Sequence, residues 1–530
     1  ATLSGATDQN VTVVLGTSGT ATEGTDYTDG SGNVDDITIS AGSTTGTVSF
    51  TPTDDSVYEG NETATIAISS VTGEASENGT QAVTITITEN ESAPTVTLYI
   101  KEAGVGYDYA SRWINENDSS TSLRIEAKLS GATDEDVTVA LSTSGTATEG
   151  TDYTDGSGNL DDITISAGST TGSTNFILSD DSVYEGDETA TIAISSVSGG
   201  SATESGSQSA TITIRDNESA GSVTLTVSAT SIAENAGTSL TITATLSSTS
   251  DEDVTVALST SGTATEGTDY TDGSGVIDDI TISAGSTTGT VNFTPTDDSV
   301  YEGNETATIA ISSVSGGDAS ESGDQSVTVT ITENESAPTV TLSVSATSIA
   351  ENAGTSITVT ATLSGATDEA VTVALSTSGT ATEGTDYTDG SGNVDDITIS
   401  AGATTGTVNF TPTDDSIYEG NETATIAISS VSGGSATESG SQSKTITITD
   451  NESAPTVTLA TSATSIAENA GTSLTLTATL SVATTADVTV ALTTSGTATE
   501  GTDYTDGSGS IDDIVISAGS TTGTVSFTPT

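Results

Sequence analysis

One fourteen-residue phrase recurs five times in this chain and fixes its organisation. The phrase reads GTATEGTDYTDGSG without change and begins at Gly19, Gly145, Gly262, Gly379 and Gly496. Successive copies lie 117 residues apart, except for the first two, which lie 126 apart. A period of this length is too long for a solenoid unit and matches the size of a self-contained domain. The sequence therefore predicts a string of domains.

Apolar residues between these phrases alternate with Thr and Ser at a period of two. The segments VTVALSTS from Val254, TVNFTP from Thr290 and TATIAISS from Thr306 show the pattern, which is typical of half-buried strands. Turn-forming clusters separate these segments, and no stretch has the period of an amphipathic helix. Each period predicts about seven short strands in an all-β sandwich. We expect the core of the third repeat to contain the rings of Tyr270, Phe293 and Tyr301.

The charge balance excludes several classes of partner and of chemistry. The chain has 75 Asp and Glu against 6 Lys and Arg, a net charge of −69, and no His or Cys. Such a chain repels nucleic acid and anionic membranes, and it has no apolar run long enough to insert in a bilayer. Catalytic triads and the usual zinc sites need His or Cys. Fivefold repetition also argues against a pair of catalytic carboxylates, so we expect no enzyme.

The acids are grouped on predicted loops and lack cationic partners. In the third repeat they lie in the segments SIAEN, GTDY, TPTDDSVYEGNE and TENE, and no Lys or Arg occurs between Arg215 and Lys444. Grouped carboxylates repel one another unless a hard cation binds them through oxygen. The pattern therefore predicts a bound divalent cation, and Ca²⁺ fits it best.

These segments also carry a resemblance to a known family. SIAENAGTS, GTATEGTDYT, TPTDDSVYEGNETATIAISS and TITITDNE resemble the Calx-beta domain, a calcium-binding module of sodium–calcium exchangers and of many large bacterial surface proteins. The resemblance covers essentially the whole chain. It implies tandem immunoglobulin-like β-sandwiches that hold calcium at one end in acidic loops.

The resemblance also implies a set of calcium ligands. They are the glutamate after the first strand, the aspartate before the tyrosine of the phrase, the aspartate pair with the glutamate that follows it, and the acid that closes the last strand. In this chain they are Asp26, Asp54, Asp55, Glu59, Glu116, Asp152, Asp180, Asp181, Glu185, Asp216, Glu234, Asp269, Asp297, Asp298, Glu302, Glu333, Glu351, Asp386, Asp414, Asp415, Glu419, Asp450, Glu468 and Asp503.

The repeat boundaries follow from the same segments. We predict a partial repeat at 1–93 that lacks its first strand, complete repeats at 95–218, 221–336 and 339–453, and a partial repeat at 456–530 that lacks its C-terminal half. Both partial repeats lead us to expect a longer chain of such units. The junctions are short, as in ESAP with Pro338, so we expect the bound ions to lie at stiff joints between domains.

Two features leave alternatives open. An acidic surface with few lysines also keeps halophilic proteins soluble, which would explain the charge without specific sites. The acids of the VDDI-type segments, Asp278 and Asp279 in the third repeat, fit a turn as well as an additional ligand.

A segment of the second repeat departs from the pattern. LYIKEAGVGYDYASRWINENDSS carries Tyr99, Tyr107, Tyr109, Arg112 and the only tryptophan, Trp113. Rings and cations on an acidic chain predict a contact surface for another copy of the chain or for carbohydrate. A long loop packed on its own domain is the alternative.

Taken together, these features favour a calcium-stabilised, non-enzymatic repeat protein located outside the cell, secreted or at the cell surface. We expect the shaft of a large adhesin or surface filament, whose partners are calcium, neighbouring repeats or further copies of itself. Two alternatives remain at this point. One is a calcium-sensing regulatory module of a membrane protein, and the other is a carbohydrate-binding adhesin that acts through the second repeat.

Overall fold

A computed structural model describes residues 1–105 and 107–530, and it contains strands, turns and no helix among them. The third repeat serves as the reference. Its strands are β1 (Ser222–Val227), β2 (Ser231–Ala233), β3 (Leu240–Leu246), β4 (Thr249–Ser250), β5 (Val254–Gly262), β6 (Tyr270–Thr271), β7 (Ile280–Ile282), β8 (Thr288–Pro295), β9 (Val300–Tyr301), β10 (Glu305–Ser315), β11 (Ser320–Glu321) and β12 (Ser326–Thr332).

Ten of these strands form two five-stranded sheets. One sheet has the order β6-β8-β3-β1-β11 and the other β2-β12-β10-β5-β7. The predicted all-β sandwich is confirmed. The strand segments outnumber the expected seven because β2, β4, β6, β7, β9 and β11 span only two or three residues, too few to show an alternating pattern.

The fourth repeat has the same sheet orders, and the second has them with one additional strand, Asp108–Tyr109, paired with Thr95–Glu102. Strands of the second repeat are Thr95–Glu102, Asp108–Tyr109, Ser111–Asn115, Leu123–Leu129, Ala132–Thr133, Val137–Gly145, Tyr153–Thr154, Ile163–Ile165, Thr171–Leu178, Val183–Tyr184, Glu188–Ser198, Thr203–Glu204 and Ser209–Arg215. Strands of the fourth repeat are Thr339–Val344, Ser348–Ala350, Ile357–Leu363, Ala366–Thr367, Val371–Gly379, Tyr387–Thr388, Ile397–Ile399, Thr405–Pro412, Ile417–Tyr418, Glu422–Ser432, Thr437–Glu438 and Ser443–Thr449.

The first and last repeats each keep mainly one sheet of the sandwich. Strands of the first are Val11–Gly19, Tyr27–Thr28, Ile37–Ile39, Thr51–Pro52, Val57–Tyr58, Glu62–Thr72 and Ala82–Ile87. Strands of the last are Val457–Thr461, Leu474–Leu480, Ala483–Thr484, Val488–Val490, Tyr504–Thr505, Ile514–Ile516 and Thr522–Pro529.

The core lies between the two sheets and is built around one aromatic stack per repeat. Tyr270 and Phe293 are 1% and 0% exposed, and their ring centroids are 4.7 Å apart. Burial of two such rings contributes strongly to stability. Tyr301, expected beside them, is only partly buried and lies on β9 at the junction with the next repeat. β9 lies in the segment between β8 and β10, and its pairing with the next repeat places Tyr301 at the junction instead of in the core.

The first glycine of the repeated phrase permits a close backbone approach. Gly262 ends β5 with a φ of 133°, and a Cβ placed there would lie 2.0 Å from the carbonyl oxygen of Thr306. Only glycine fits such a position. The phrase therefore begins with glycine for a steric reason.

Short strands link successive repeats. β9 pairs in parallel with Ala366–Thr367 of the fourth repeat, and β4 pairs with Val183–Tyr184 of the second. The same two-residue bridges join the first repeat to the second and the fourth to the fifth. Each junction is therefore held by backbone hydrogen bonds in addition to the short linker.

Candidate metal centre

Carboxylates converge at one end of each complete sandwich because of how the strands end. β2 and β12 are parallel neighbours, so the residues that directly follow them, Glu234 and Glu333, emerge at the same edge. The loop between β8 and β10 passes this edge and carries Glu302, and Asp269 immediately precedes β6.

These carboxylates form two groups in the third repeat. Glu234, Glu333 and Glu335 make up one group, and Asp269, Glu302 and Glu305 make up the other; within each, potential ligand oxygens lie within 4.8 Å of one another. Equivalent groups are Glu116, Asp216, Glu218 and Asp152, Glu185, Glu188 in the second repeat, and Asp26, Glu59, Glu62 in the first.

Backbone hydrogen bonds join the two groups into one site. Glu333 Oε2 accepts the N–H groups of Glu302 and Gly303 at 2.6 and 2.9 Å. In the second repeat Asp216 makes the same pair of contacts, and in the fourth Asp450 makes them with Glu419 and Gly420. The acid that closes the last strand therefore organises the loop that carries the other acids.

The electrostatics of the site are strongly perturbed. Glu234 is 5% exposed, and its Oε1 accepts the N–H of Asp298 at 3.3 Å. Burial, and then the charges of nearby carboxylates, raise the pKa of Glu234, Glu302 and Glu305 to about 7. Burial also opposes ionisation of Glu333, but the N–H groups it accepts outweigh burial and lower its pKa. Protonation of these glutamates reduces the repulsion among the carboxylates, which no side-chain cation among the described residues compensates.

The donor set suits a hard divalent cation. The Oε2 atoms of Glu218, Glu335 and Glu452 are buried and have no hydrogen-bond partner among the described residues, although a buried carboxylate oxygen is costly to leave unpaired. All ligand candidates are oxygens, which Ca²⁺ prefers, and six to eight of them are needed. The side chains of Glu234, Glu333 and Glu335 would hold such an ion on one side of the site and those of Asp269, Glu302 and Glu305 on the other.

The aspartate pairs lie at the rim of this site. Asp298 Oδ1 accepts the N–H of Val300 at 2.7 Å and shapes the turn before β9. Burial is the largest cause that raises the pKa of Glu234 and Glu302, and the charge of Asp298 raises both further. For Glu335 the hydrogen bond with Glu333 is the largest cause that raises the pKa, and the charge of Asp297 adds to it. Asp55, Asp181 and Asp415 make the same turn contact; Asp54, Asp180 and Asp414 precede them.

The fourth repeat brings its predicted ligands together in the same way, whereas the last repeat does not. Glu351 is buried and accepts the N–H of Asp415 at 3.0 Å, and Asp386 accepts that of Thr382 at 2.6 Å. In the last repeat Glu468 and Asp503 are exposed. The DDSVYEGNE and TENE segments, which carry their partners in other repeats, do not occur among residues 456–530.

Sequence reasoning left several members of the site out. The predicted ligands did not include the second glutamate of YEGNE, or of YEGDE in the second repeat, or the acid two residues after the one that closes the last strand. These are Glu62, Glu188, Glu305 and Glu422, and Glu91, Glu218, Glu335 and Glu452, together with Glu89. A signal was available, because both glutamates of YEGNE recur in every repeat that contains the segment.

Other acids of the repeated phrase have structural roles. Glu266 accepts the N–H of Ile277 at 2.6 Å and the hydroxyl of Thr260 at 2.8 Å. Asp279 accepts the N–H of Leu258 at 2.9 Å, where the register of β5 against β10 shifts. Asp278 has its neighbour Asp272 within hydrogen-bonding range. Of the two acids left open between turn and ligand, Asp279 supports a β-bulge.

The unusual segment of the second repeat is only partly exposed. Tyr107 and Trp113 are 72% and 52% exposed, whereas Tyr99 is half-buried and Tyr109 packs against the core. The guanidinium of Arg215 lies 4.3 Å from the centre of a Trp113 ring, and that of Arg112 lies 5.4 Å away and pairs with Glu102 at 3.0 Å. The predicted contact residues therefore divide into an exposed pair and a set engaged within the repeat.

No helix among the described residues has the length and apolar character that crossing a bilayer requires. The fold and the site define a chain of β-sandwich repeats, in which each complete repeat has a carboxylate cluster at one end. The Calx-beta domain profile matches residues 1–91, 104–218, 216–335, 333–452 and 450–526. The chain belongs to the Calx-beta domain family.

A search of curated proteins returns no match. Solved structures similar to this chain include CBD12 from CALX1.2, at 16% identity over 44% of this chain and 99% of the other, with a TM-score of 0.19. The apo form of the Calx CBD1 domain is similar at 22% identity over 23% and 97%, with a TM-score of 0.19. Invasin, a bacterial integrin-binding protein, is similar at 13% identity over 73% and 76%, with a TM-score of 0.22. At these values the similarities carry no functional conclusion.

Proposed function

We propose that this chain is a calcium-binding structural repeat protein in which calcium stiffens the joints between successive domains. The observation that carries the proposal is the cluster of buried and half-buried carboxylates in each complete repeat, with buried oxygens that have no hydrogen-bond partner and no side-chain cation among the described residues. A hard divalent cation supplies the missing positive charge.

The position of the clusters supports a structural role. In the third repeat, Glu302 directly follows Tyr301, which pairs with the fourth repeat. An ion held by Glu302 therefore lies beside the backbone bridge and restrains the loop that forms it. Repetition of this arrangement along the chain favours an extended, stiff product.

We place this product outside the cell, as the shaft of a large adhesin or surface filament. Extracellular calcium-binding modules have dissociation constants of about 10⁻⁴ to 10⁻³ M, and the chain has no cysteine that depends on the redox state of the compartment. The near-identity of the repeats suits a protein whose useful property is length. Its role is accordingly non-enzymatic.

The test combines a thermal melt with small-angle X-ray scattering of the full chain, first in EDTA and then across a calcium titration. We expect calcium to raise the melting temperature and to increase the maximum dimension, with a midpoint of about 10⁻⁴ to 10⁻³ M. A micromolar midpoint with a change of interdomain angle would favour the sensor instead. No response to calcium would leave the carboxylates as a solvating surface and overturn the proposal.

A further inference from the structure

The junction between the second and third repeats brings a third-repeat aspartate to the second-repeat site. Asp251 directly follows β4, which pairs with Val183–Tyr184, and its N–H donates to the carbonyl of Tyr184 at 3.2 Å. The residue after Tyr184 is Glu185, a member of the second-repeat cluster. Backbone pairing therefore places Asp251 beside this cluster.

The charges of the two repeats interact at this point. Burial, and then the carboxylates of Glu252, Asp152 and Asp216, raise the pKa of Asp251. Of these three, Asp152 and Asp216 belong to the preceding repeat. Asp152 is itself 8% exposed and has no cationic partner in the part of the chain that the structure describes. Glu218 of the same site contributes one of the buried oxygens that lack a hydrogen-bond partner there.

Two other junctions share the arrangement. The N–H of Asp134 donates to Tyr58 at 3.3 Å, and that of Asp368 donates to Tyr301 at 3.4 Å. Each tyrosine again precedes a cluster glutamate, Glu59 or Glu302. The aspartate is thus a regular feature of these three junctions.

The junction between the fourth and fifth repeats differs at this position. Thr485 follows the bridging strand Ala483–Thr484 where the others have aspartate. There, burial and the carboxylates of Asp386, Glu422, Asp415 and Glu351 raise the pKa of Glu419, and all four belong to the same repeat. The chain thus contains three junctions with the additional acid and one without it.

We propose that Asp134, Asp251 and Asp368 each supply a carboxylate to the calcium site of the preceding repeat, so that these sites are shared across the junction. The inference rests on the calcium binding proposed above. A shared ligand means that an ion bound at one repeat also holds the next one in place. It also means that affinity at a repeat depends on the repeat that follows.

Trp113 provides a local probe of the second-repeat site. It is the only tryptophan in the chain, it lies three residues before Glu116, and its ring stacks against Arg215, the neighbour of Asp216. Terbium(III) prefers oxygen ligands as calcium does, and tryptophan-sensitised terbium emission reports ions bound near Trp113. The experiment is a terbium titration of the full chain, with calcium as competitor.

We expect Asp251→Asn to weaken terbium and calcium binding at this site about tenfold, because one charged ligand is lost. Two matched controls should leave the terbium affinity of the second-repeat site unchanged. Glu252→Gln removes the adjacent charge, but the Oε1 of the glutamine can still accept the N–H of Gly317. In the wild-type chain this N–H lies 3.0 Å from Glu252 Oε2. Asp368→Asn makes the same change as Asp251→Asn at the next junction.

Each outcome decides one point. Wild-type chain that shows no terbium emission displaced by calcium would overturn the proposed function itself. Wild-type binding that Asp251→Asn leaves unchanged would overturn only the shared site. An equal loss in all three variants would show a general effect of charge and would also overturn it. Thermal melts in EDTA check that the variants fold, and Asp251→Asn should melt no lower than wild type because it removes repulsion.

Discussion

The second and third repeats differ most at their beginnings and agree most at their carboxylate ends. The second contains five of the six basic residues and all the ion pairs found among the described residues, whereas the third has no basic residue. Yet Glu116 and Glu234 are 6% and 5% exposed and accept N–H groups from Asp181 and Asp298 at 3.2 and 3.3 Å. The site therefore depends on where the strands end and tolerates changes in the sequence that leads to it.

The cations of the second repeat also stay away from its cluster. Lys101 pairs with Asp108 and Glu126, and Arg112 pairs with Glu102. Arg215 stacks on Trp113 and lies 4.0 Å from Asp187. Because none of them pairs with a cluster member, both repeats present the same uncompensated negative charge.

The largest expected effect is the response of the whole chain to calcium and pH. Carboxyls whose pKa is raised from 4.5 to about 7 bind more protons in the folded state, so without calcium the stability falls as pH rises through this window. Calcium at 100 times its dissociation constant adds about 2.7 kcal/mol per site. Calorimetry at pH 5 to 8 should show melting temperatures that fall with pH in EDTA and fall far less in calcium. Identical pH profiles in both would contradict the site.

The comparison is sharpened by Glu116→Gln and Glu234→Gln in otherwise unchanged chains. Each removes one buried charged ligand, so each should reduce the calcium-dependent rise in melting temperature to a similar extent, with a loss of affinity of about tenfold at the altered repeat. In EDTA both should be at least as stable as wild type, because repulsion decreases. A full calcium response in Glu116→Gln alone would mean that the cations of the second repeat do compensate its cluster.

A smaller effect is expected from a structural acid that both repeats share. Asp279→Ala, and Asp162→Ala in the second repeat, leave a β-bulge N–H without its acceptor. This should cost about 1 kcal/mol in each case. Urea unfolding measures the loss, and isothermal titration calorimetry should show unchanged calcium stoichiometry. A lower calcium stoichiometry in these variants would show that the two aspartates are calcium ligands.

The smallest effect is expected at Trp113, in the segment that distinguishes the second repeat from the third. Trp113→Ala removes a ring that contacts Arg215 at the surface, and such cation–π contacts contribute about 0.5–1 kcal/mol. The change in urea unfolding should be of that order, and calcium binding measured calorimetrically should not change. A large loss of calcium affinity would show that the stack positions Asp216.

Much of the fold was predictable from the sequence, and the aromatic core shows why. Alternation of apolar residues with Thr and Ser marks strand faces directly, and the Tyr270–Phe293 stack lies where this alternation places it. Tyr301 was wrongly predicted to lie in the core, because its two-residue strand is too short to show an alternation of apolar and polar residues. The grouping of acids included Glu305 and Glu335, but the ligand set implied by the family resemblance omitted both.

The sequence by itself determined the repeat organisation, the all-β class and the unbalanced negative charge, because period, alternation and composition are properties of neighbouring residues. Only the tertiary structure decided which acids meet. Glu266 and Asp269 are three residues apart, yet Glu266 accepts the N–H of Ile277 whereas Asp269 belongs to the cluster. The backbone geometry directs their side chains differently. Asp251 and Glu185 are 66 residues apart in the sequence, and strand pairing across a junction brings their backbones together.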